Sequence, residues 1–373
     1  MQRTVIAVST NPDFEHAFAE VTDKIKNECA SPKLIMFFSE YNSFYMFATK
    51  LQEAFPNTVN IGSTSYINFS SAGYGHNSLA AMAINDGIEV GEGILFDVSN
   101  FPMNYKRHIA LALDKLSSFE NTCCIEFCNS YTKGEELVLD TLNKYLSPKG
   151  IPCFGSSAGA ELSEGSKSIV SLNGVCFQNT CVFVLIHNLN GKIGFVKENL
   201  YEKTTDKVFS ATDVDVDNRI IYMLDNKPAA DVLASALNVP LENLKDAIAE
   251  NPLGRISKDK VFITEVSDIM PDGSIQLFAR VFNHSKIAIL NRGNINEIWN
   301  ATKETAREQI AKNSFAIVVN CLARSIMFEK ENLFSEFTDT LKNNYGNYIG
   351  VSGYGEQYNI THMNQTLILV LFE

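Results

Sequence analysis

Short apolar runs alternate with helix-length amphipathic segments along most of the chain, and three stretches share one order of parts. Each has an apolar strand, a helical stretch, and a second strand that closes on an apolar residue, a glycine and small polar residues. The first runs from Leu34-Ile35-Met36-Phe37-Phe38-Ser39 through a helix over about residues 44–55 to Ile61-Gly62-Ser63-Thr64-Ser65. The second runs from Cys124-Ile125-Glu126-Phe127-Cys128-Asn129-Ser130 through residues 135–145 to Phe154-Gly155-Ser156-Ser157-Ala158-Gly159. The third runs from Phe315-Ala316-Ile317-Val318-Val319-Asn320-Cys321 through residues 331–343 to Ile349-Gly350-Val351-Ser352-Gly353-Tyr354-Gly355-Glu356. From polar strand end to glycine the spans are 23, 25 and 29 residues, the size of a compact strand–helix–strand crossover.

Each unit also has an upstream strand and helix: residues 5–9 with a helix from Pro12, 94–97 with a helix from Pro102, and 287–290 with a helix over about 294–312. Downstream of each glycine lies an alternating, hairpin-like segment: 78–84 then 88–96, 168–177 then 181–187, and 366–372. The pattern predicts an α/β protein with mixed sheets, built from three βαβαβ-like units in two packed domains. Between the second and third units the pattern changes. Residues 213–222 alternate, a helix over 228–237 opens on Pro228, and Pro271-Asp272-Gly273 turns a hairpin between 261–266 and 274–281. The expected division is therefore residues 1–215, with two units, and 216–373, with the inserted hairpin segment and the third unit.

Composition narrows the partners. With 45% hydrophobic and 20% charged residues in 373 positions, this is an ordinary globular chain of domain-building length. Its 31 Lys+Arg against 43 Asp+Glu leave a formal charge of −12, and no basic run appears, which excludes nucleic acid and anionic membrane surfaces as expected partners. Eight cysteines at irregular spacings give no disulfide framework, so reduced thiols in a cytoplasmic protein are expected. The most apolar internal stretch, residues 181–186, is only strand-length, so no membrane insertion is expected, and the N-terminus lacks a signal-peptide pattern.

Ligands of parallel α/β units bind outside the carboxyl ends of the strands, so the strand ends hold the candidate chemistry. In the first two units these are small polar groups: Ser39 with Glu40, Asn129 with Ser130, and Ser63, Thr64, Ser156 and Ser157. The third unit differs in kind. One strand ends Asn320-Cys321-Leu322-Ala323-Arg324 and the other Ser352-Gly353-Tyr354-Gly355-Glu356, with Asn359 and Asn364 behind. On neighbouring strands Arg324 would grip a carboxylate and Glu356 would accept from an ammonium, which suits a zwitterion of amino-acid size. An ion pair between the two is the competing structural reading.

Those residues carry a family resemblance. Asn320-Cys321-Leu322-Ala323-Arg324, Gly350 to Glu356 and Asn364-Gln365-Thr366 resemble the C-terminal part of the FIST sensory domain. Ile61-Gly62-Ser63-Thr64 with Ser71-Ala72-Gly73, and Leu224-Asp225-Asn226-Lys227-Pro228-Ala229, are similar to its N-terminal signature and its Leu-Asp-Gly-x-Pro-Ala turn. The chain departs from the family at Ser63, where Cys is frequent, at Ser65-Tyr66-Ile67, at Asn226, and at Asn283-His284-Ser285. At Phe262-Ile263-Thr264-Glu265 a family Arg is missing.

The resemblance implies a non-catalytic, cytoplasmic input module of bacterial signal transduction that binds a small molecule, with an amino acid as the favoured class. The expected mechanism is ligand-induced closure, in which a ligand held between the two domains favours one arrangement, with a downstream signalling protein or a fused effector as partner. No cofactor is expected unless haem is bound, as in the nitric-oxide-responsive members; His76 and His362 are then the candidate ligands.

Other chemistry is weaker. Cys321 stands at the end of a buried strand and could act as a nucleophile with His362 as base, but no glycine flanks it and the helix is expected to begin near Glu329. Cys123 and Cys124 point to opposite faces of one strand, and with Cys128 make no zinc pattern. Asp213, Asp215 and Asp217 open like a calcium loop, but Asn218 and Leu224 stand where it needs Gly and Glu. Gly73-Tyr74-Gly75 lacks a phosphate-loop pattern.

Overall fold

The computed structural model describes all residues except 1–3, 30, 101–104, 131, 161–166 and 259, and only the backbone of 203–206. The helix expected from Pro102 has its start among the residues outside that description; its described part is Tyr105–Leu113. The fold is mixed α/β, and the chain divides into two compact units. One comprises Met1–Lys197, Thr302–Thr361 and Leu367–Glu373; the other comprises Glu198–Ala301 and His362–Thr366.

The first unit contains three sheets of one design. In the first sheet Leu34–Ser39 and Val59–Thr64 run parallel, Leu79–Ile84 runs antiparallel to Leu34–Ser39, and Thr4–Ser9 forms the outer edge. The second repeats this with Thr122–Cys128 and Cys153–Ser157 as the parallel pair, Thr180–Asn188 antiparallel, and Ile88–Phe96 outermost. The third uses Phe315–Cys321 and Tyr348–Gly353, with Thr366–Phe372 antiparallel and Ile193–Asn199 outermost. The first strand of each parallel pair is buried at every position, which is why these strands read as continuous apolar runs rather than alternations.

Each sheet is completed by a strand from another repeat. Asn68–Ser70, which follows the first glycine strand, pairs with Tyr348–Gly353 in the third sheet. Val170–Leu172, which follows the second, pairs with Val59–Thr64 in the first sheet. Gly355–Tyr358, which follows the third, pairs with Cys153–Ser157 in the second. The three repeats thus exchange strands cyclically.

Several local expectations are corrected. The segment over 287–290 lies in Lys286–Arg292, which pairs with Leu253–Ser257 and Tyr201–Asp215 in the second unit; Ile193–Asn199 takes the opening place of the third repeat. The second unit thus begins at the end of that opening strand and runs into the first turns of the helix Ile295–Gln309, and residue 215 falls inside it. The downstream segments are not single hairpins, because Leu79–Ile84 and Ile88–Phe96 enter different sheets, as do Val175–Phe177 and Thr180–Asn188. Apolar alternation fixes which face of a strand is buried but not its partner. Finally, residues 213–222 are two strands joined at Asp215, whose Oδ1 accepts from the Asn218 N–H (2.9 Å), and the Pro271 turn joins Val266–Ile269 to Ile275–Leu277.

The second unit has one sheet in the order Lys260–Thr264, Leu253–Ser257, Lys286–Arg292, Tyr201–Asp215, Ile220–Leu224, Ile275–Leu277, Val266–Ile269. Helices Ala229–Leu237 and Leu244–Glu250 contribute Leu233, Leu244 and Ile248 to its apolar core. Among the described residues no helix is long and apolar enough to cross a membrane.

Candidate functional site

The glycine strands of the three repeats end against one another. The Gly159 N–H donates to Thr64 O (2.9 Å), the Tyr66 N–H to Ser352 O (2.9 Å), and the Tyr354 N–H to Ser157 O (3.0 Å). Counted from Gly62, Gly155 and Gly350, every acceptor stands two residues on and every donor four. The bonds therefore close a ring of approximate three-fold symmetry that joins the carboxyl ends of all three parallel pairs. A Cβ at Gly159 would meet Ser352 O at 2.1 Å and Tyr66 N at 2.7 Å, so backbone on both sides requires glycine there.

Beside this ring, the third repeat gathers polar side chains around a cation. Leu322, Ser325 and Phe328 recur at helical spacing, and the helix Leu322–Lys330 begins directly after the strand, followed by a second helix, Phe334–Tyr345. The helix therefore starts well before the expected position near Glu329, and Cys321 is its N-cap, with 2% exposure. Arg324 lies on the first turn with no exposed surface. Its Nε donates to Asn320 Oδ1 (3.0 Å), and its guanidinium carbon stands 5.4 Å from the centre of the Phe328 ring. Asn320 Nδ2 donates to Ser325 Oγ (2.8 Å), Ser325 Oγ and Ser352 Oγ share a proton contact at 2.7 Å, and the Ser352 N–H donates to Ser65 Oγ (3.0 Å). Buried charge is costly unless polar groups compensate it, and this chain of neutral dipoles orients toward the guanidinium.

The structure brings Arg324, Asn320, Ser352 and Cys321 together. Glu356 lies on Gly355–Tyr358 opposite Ser156, and is likewise wholly buried. Tyr354 packs with Leu322 and Ala160, and its hydroxyl donates to Ala160 O (3.3 Å).

The candidates from the first two repeats bond to the framework instead. Thr64 Oγ1 accepts from the Ile169 N–H (3.1 Å), and Ser156 Oγ donates to Ser157 O (3.1 Å). Ser157 Oγ donates to Glu135 Oε1 (3.3 Å) and accepts from Gln357 Nε2 (3.0 Å). Asn129 Nδ2 donates to Ser168 O (2.8 Å) while its Oδ1 accepts from the Thr180 N–H (3.0 Å). Ser63 Oγ is buried and has no hydrogen-bond partner among the described residues. Asn364 belongs to the second unit, where its Oδ1 accepts from the Glu265 N–H (3.1 Å). Ser65 and Ser325 were not singled out by sequence; Ser325 had a readable signal, since it shares the buried helix face with Arg324.

His76 is held at both ring nitrogens, Nδ1 with Tyr66 O (3.0 Å) and Nε2 with Glu329 Oε1 (2.6 Å), while Glu329 Oε2 accepts from the Tyr66 hydroxyl (3.0 Å). Axial ligation of haem needs a free imidazole nitrogen, and His76 so placed does not fit that role. His362 lies in the second unit with 2% exposure. Among the described residues no group of three or more His, Cys, Asp or Glu is arranged to hold a metal ion.

Burial dominates the electrostatics elsewhere. Glu126, inside the second repeat's strand, is pushed up to about 8 by burial, an effect offset in part by the Cys181 thiol, which donates to its Oε2 at 3.4 Å. Glu265 in the second unit is pushed up to about 7, again by burial first. Burial also drives the Cys124 and Cys181 thiols well up, which leaves them protonated and unreactive at neutral pH.

The family model for the FIST N domain matches residues 33–227, and that for the FIST C domain matches residues 229–359. No curated protein matches the chain.

Proposed function

The chain belongs to the FIST family of sensory signal-transduction domains, and from that premise we propose that it is a cytoplasmic input module of a bacterial signalling system that binds an amino-acid-like ligand. The observation that carries this reading is the Arg324 guanidinium, wholly buried at the carboxyl end of a parallel strand pair and linked to neutral side chains through Asn320. Arg324 takes the ligand carboxylate and Glu356 its ammonium, while Asn320, Cys321, Ser352 and Tyr354 supply neutral contacts. Ser156, Ser157, Thr64 and Asn129 of the first two repeats hold the frame, and Ser63 lies beside them.

Because the cation is enclosed, a ligand enters only by displacing part of its surroundings. The helix Leu322–Lys330 is tied through Glu329 to Tyr66 and His76, and its movement converts occupancy into a shape that a downstream signalling partner reads. No reaction and no resident haem are part of this reading; the hydrogen bonds at both nitrogens of His76 support the latter.

Thermal unfolding against a panel of amino acids tests it. A ligand present at 100 times its Kd adds about 2.7 kcal/mol, a shift easily seen, and Arg324→Lys should fold yet lose the response. A flat panel, or an undiminished response in Arg324→Lys, overturns the reading. A Soret band in the purified protein would replace it with the haem alternative.

A further inference from the structure

A second concave site lies at the opposite, amino end of the second repeat's parallel strands. It is a cavity of about 390 Å³ lined by Asn121, Asn143, Ser147, Phe195, Tyr358 and Asn359, among others, all within the first unit. That volume is in the range of small-molecule pockets. Two features give it a chemical preference.

The first is an aromatic corner. Tyr358 stacks on the fully buried Phe154 at 5.5 Å and 21°, and Phe195 stands 5.5 Å from Tyr358 at 41°. Phe154 backs the other two rings, which are half-buried and line the cavity. Asn359 pins this corner: its Oδ1 accepts from the Cys153 N–H (3.1 Å) and its own N–H donates to Cys153 O (2.8 Å).

The second feature is the carboxyl end of the helix Glu135–Leu146, where Asn143 and Ser147 reach the cavity. The last carbonyls of a helix carry about half a negative charge. Among the described residues no charged side chain lines the cavity, although Lys144 and Lys149 flank that helix end, and the chain's formal charge of −12 favours a cation's approach.

We propose that this cavity is a binding site for a small organic cation, an amine whose ammonium lies against the Phe195 and Tyr358 faces and the helix carbonyls while its apolar part fills the remaining volume. Ring faces attract ammonium groups most strongly where water is partly excluded. The inference does not depend on the Arg324 reading, because it uses neither its residues nor its end of the sheet.

Titration of the full chain with benzylamine, protonated at pH 7, and with its neutral isostere benzyl alcohol tests the proposal by isothermal calorimetry. Saturable benzylammonium binding is expected, with benzyl alcohol about tenfold weaker. Phe195→Leu, which keeps apolar bulk but removes a ring face, should weaken the amine about tenfold and the alcohol little. Ile193→Trp, which fills the cavity and leaves both rings in place, should remove binding of both. Absence of saturable binding, equal affinities for amine and alcohol, or unchanged binding in a folded Ile193→Trp protein overturns the assignment.

Discussion

Phe37, Glu126 and Val318 occupy one place in three repeats, each on the first parallel strand opposite the glycine of the second. In the first repeat the place holds a phenyl ring packed at 5.4 Å and 5.2 Å against Phe44 and Phe47; in the second it holds a carboxyl group that burial pushes up to about 8; in the third it holds an isopropyl group. The strand ends diverge in the same way. Glu40 in the first repeat caps the next helix, accepting from the Asn42 and Ser43 N–H groups at 2.5 Å and 2.7 Å. Asn129 in the second clamps two loops, whereas Asn320 in the third supports Arg324. One backbone therefore carries three chemistries. Where strand-end polar groups bond to the main chain they hold the frame, and where they bond to one another around a charge they build the site proposed for the ligand.

The strongest way to break that comparison is to attack what the repeats share. Gly159→Ala puts a methyl group against backbone on two sides, at 2.1 Å and 2.7 Å, and neither neighbour is a flexible side-chain tip. The ring bond from Tyr66 to Ser352 should be lost with it. We expect a loss of roughly 3 kcal/mol or more in urea unfolding. Gly150→Ala is the control: its φ of 72° is strained for alanine but nothing lies within 4 Å of the new carbon, so about 1 kcal/mol is expected. Equal costs for the two would mean that the ring does not bind the repeats together.

The next test separates the second repeat from the first. Glu126 keeps its proton to a higher pH when folded than its ordinary value of 4.5 allows. Its contribution is fully present below about pH 4.5 and is lost as pH rises through about 8, at up to about 1.4 kcal/mol per pH unit. Glu265 acts in the same direction up to about 7, so the window between pH 7 and 8 isolates Glu126. Glu126→Gln should be more stable than the parent at pH 8 and should flatten the stability profile in that window. A parent profile already flat from pH 7 to 8 would show that Glu126 does not titrate there.

The repeats themselves were legible because fully buried parallel strands such as Leu34–Ser39 and Phe315–Cys321 write unbroken apolar runs, and a glycine strand follows each at the span of one helical crossover. The exchange of strands was not legible. Ile193–Asn199 alternates buried and half-buried positions and reads as an edge strand of no particular sheet, while the stronger apolar core of Lys286–Arg292 drew the assignment to itself. At the candidate site, Arg324, Asn320 and Ser352 were legible from topology, which places strand ends together once the parallel pair is known. Ser65 was not, because a lone serine has no spacing signal. Asn364 was misplaced because the chain re-enters the second unit over His362–Thr366 before returning as the last strand.

The smallest effect sharpens the contrast between bonding to the frame and bonding around a charge. Ser325 Oγ accepts from Asn320 Nδ2 at 2.8 Å and meets Ser352 Oγ at 2.7 Å, so Ser325→Ala leaves the buried Ser352 Oγ without that partner and reduces Asn320 Nδ2, whose side chain holds Arg324, to its longer bond with Cys321 O (3.2 Å). Ser156 Oγ in the second repeat only donates, to Ser157 O at 3.1 Å and Gly355 O at 3.4 Å, and those carbonyls also serve the backbone. Unsatisfied buried groups cost more than a lost bond between groups that keep other partners. Ser325→Ala should therefore lower stability by about 1–2 kcal/mol, and Ser156→Ala by about 0.5 kcal/mol. If the two losses are equal, the hydrogen-bond chain around Arg324 is ordinary framework, and the third repeat differs from the other two in composition only.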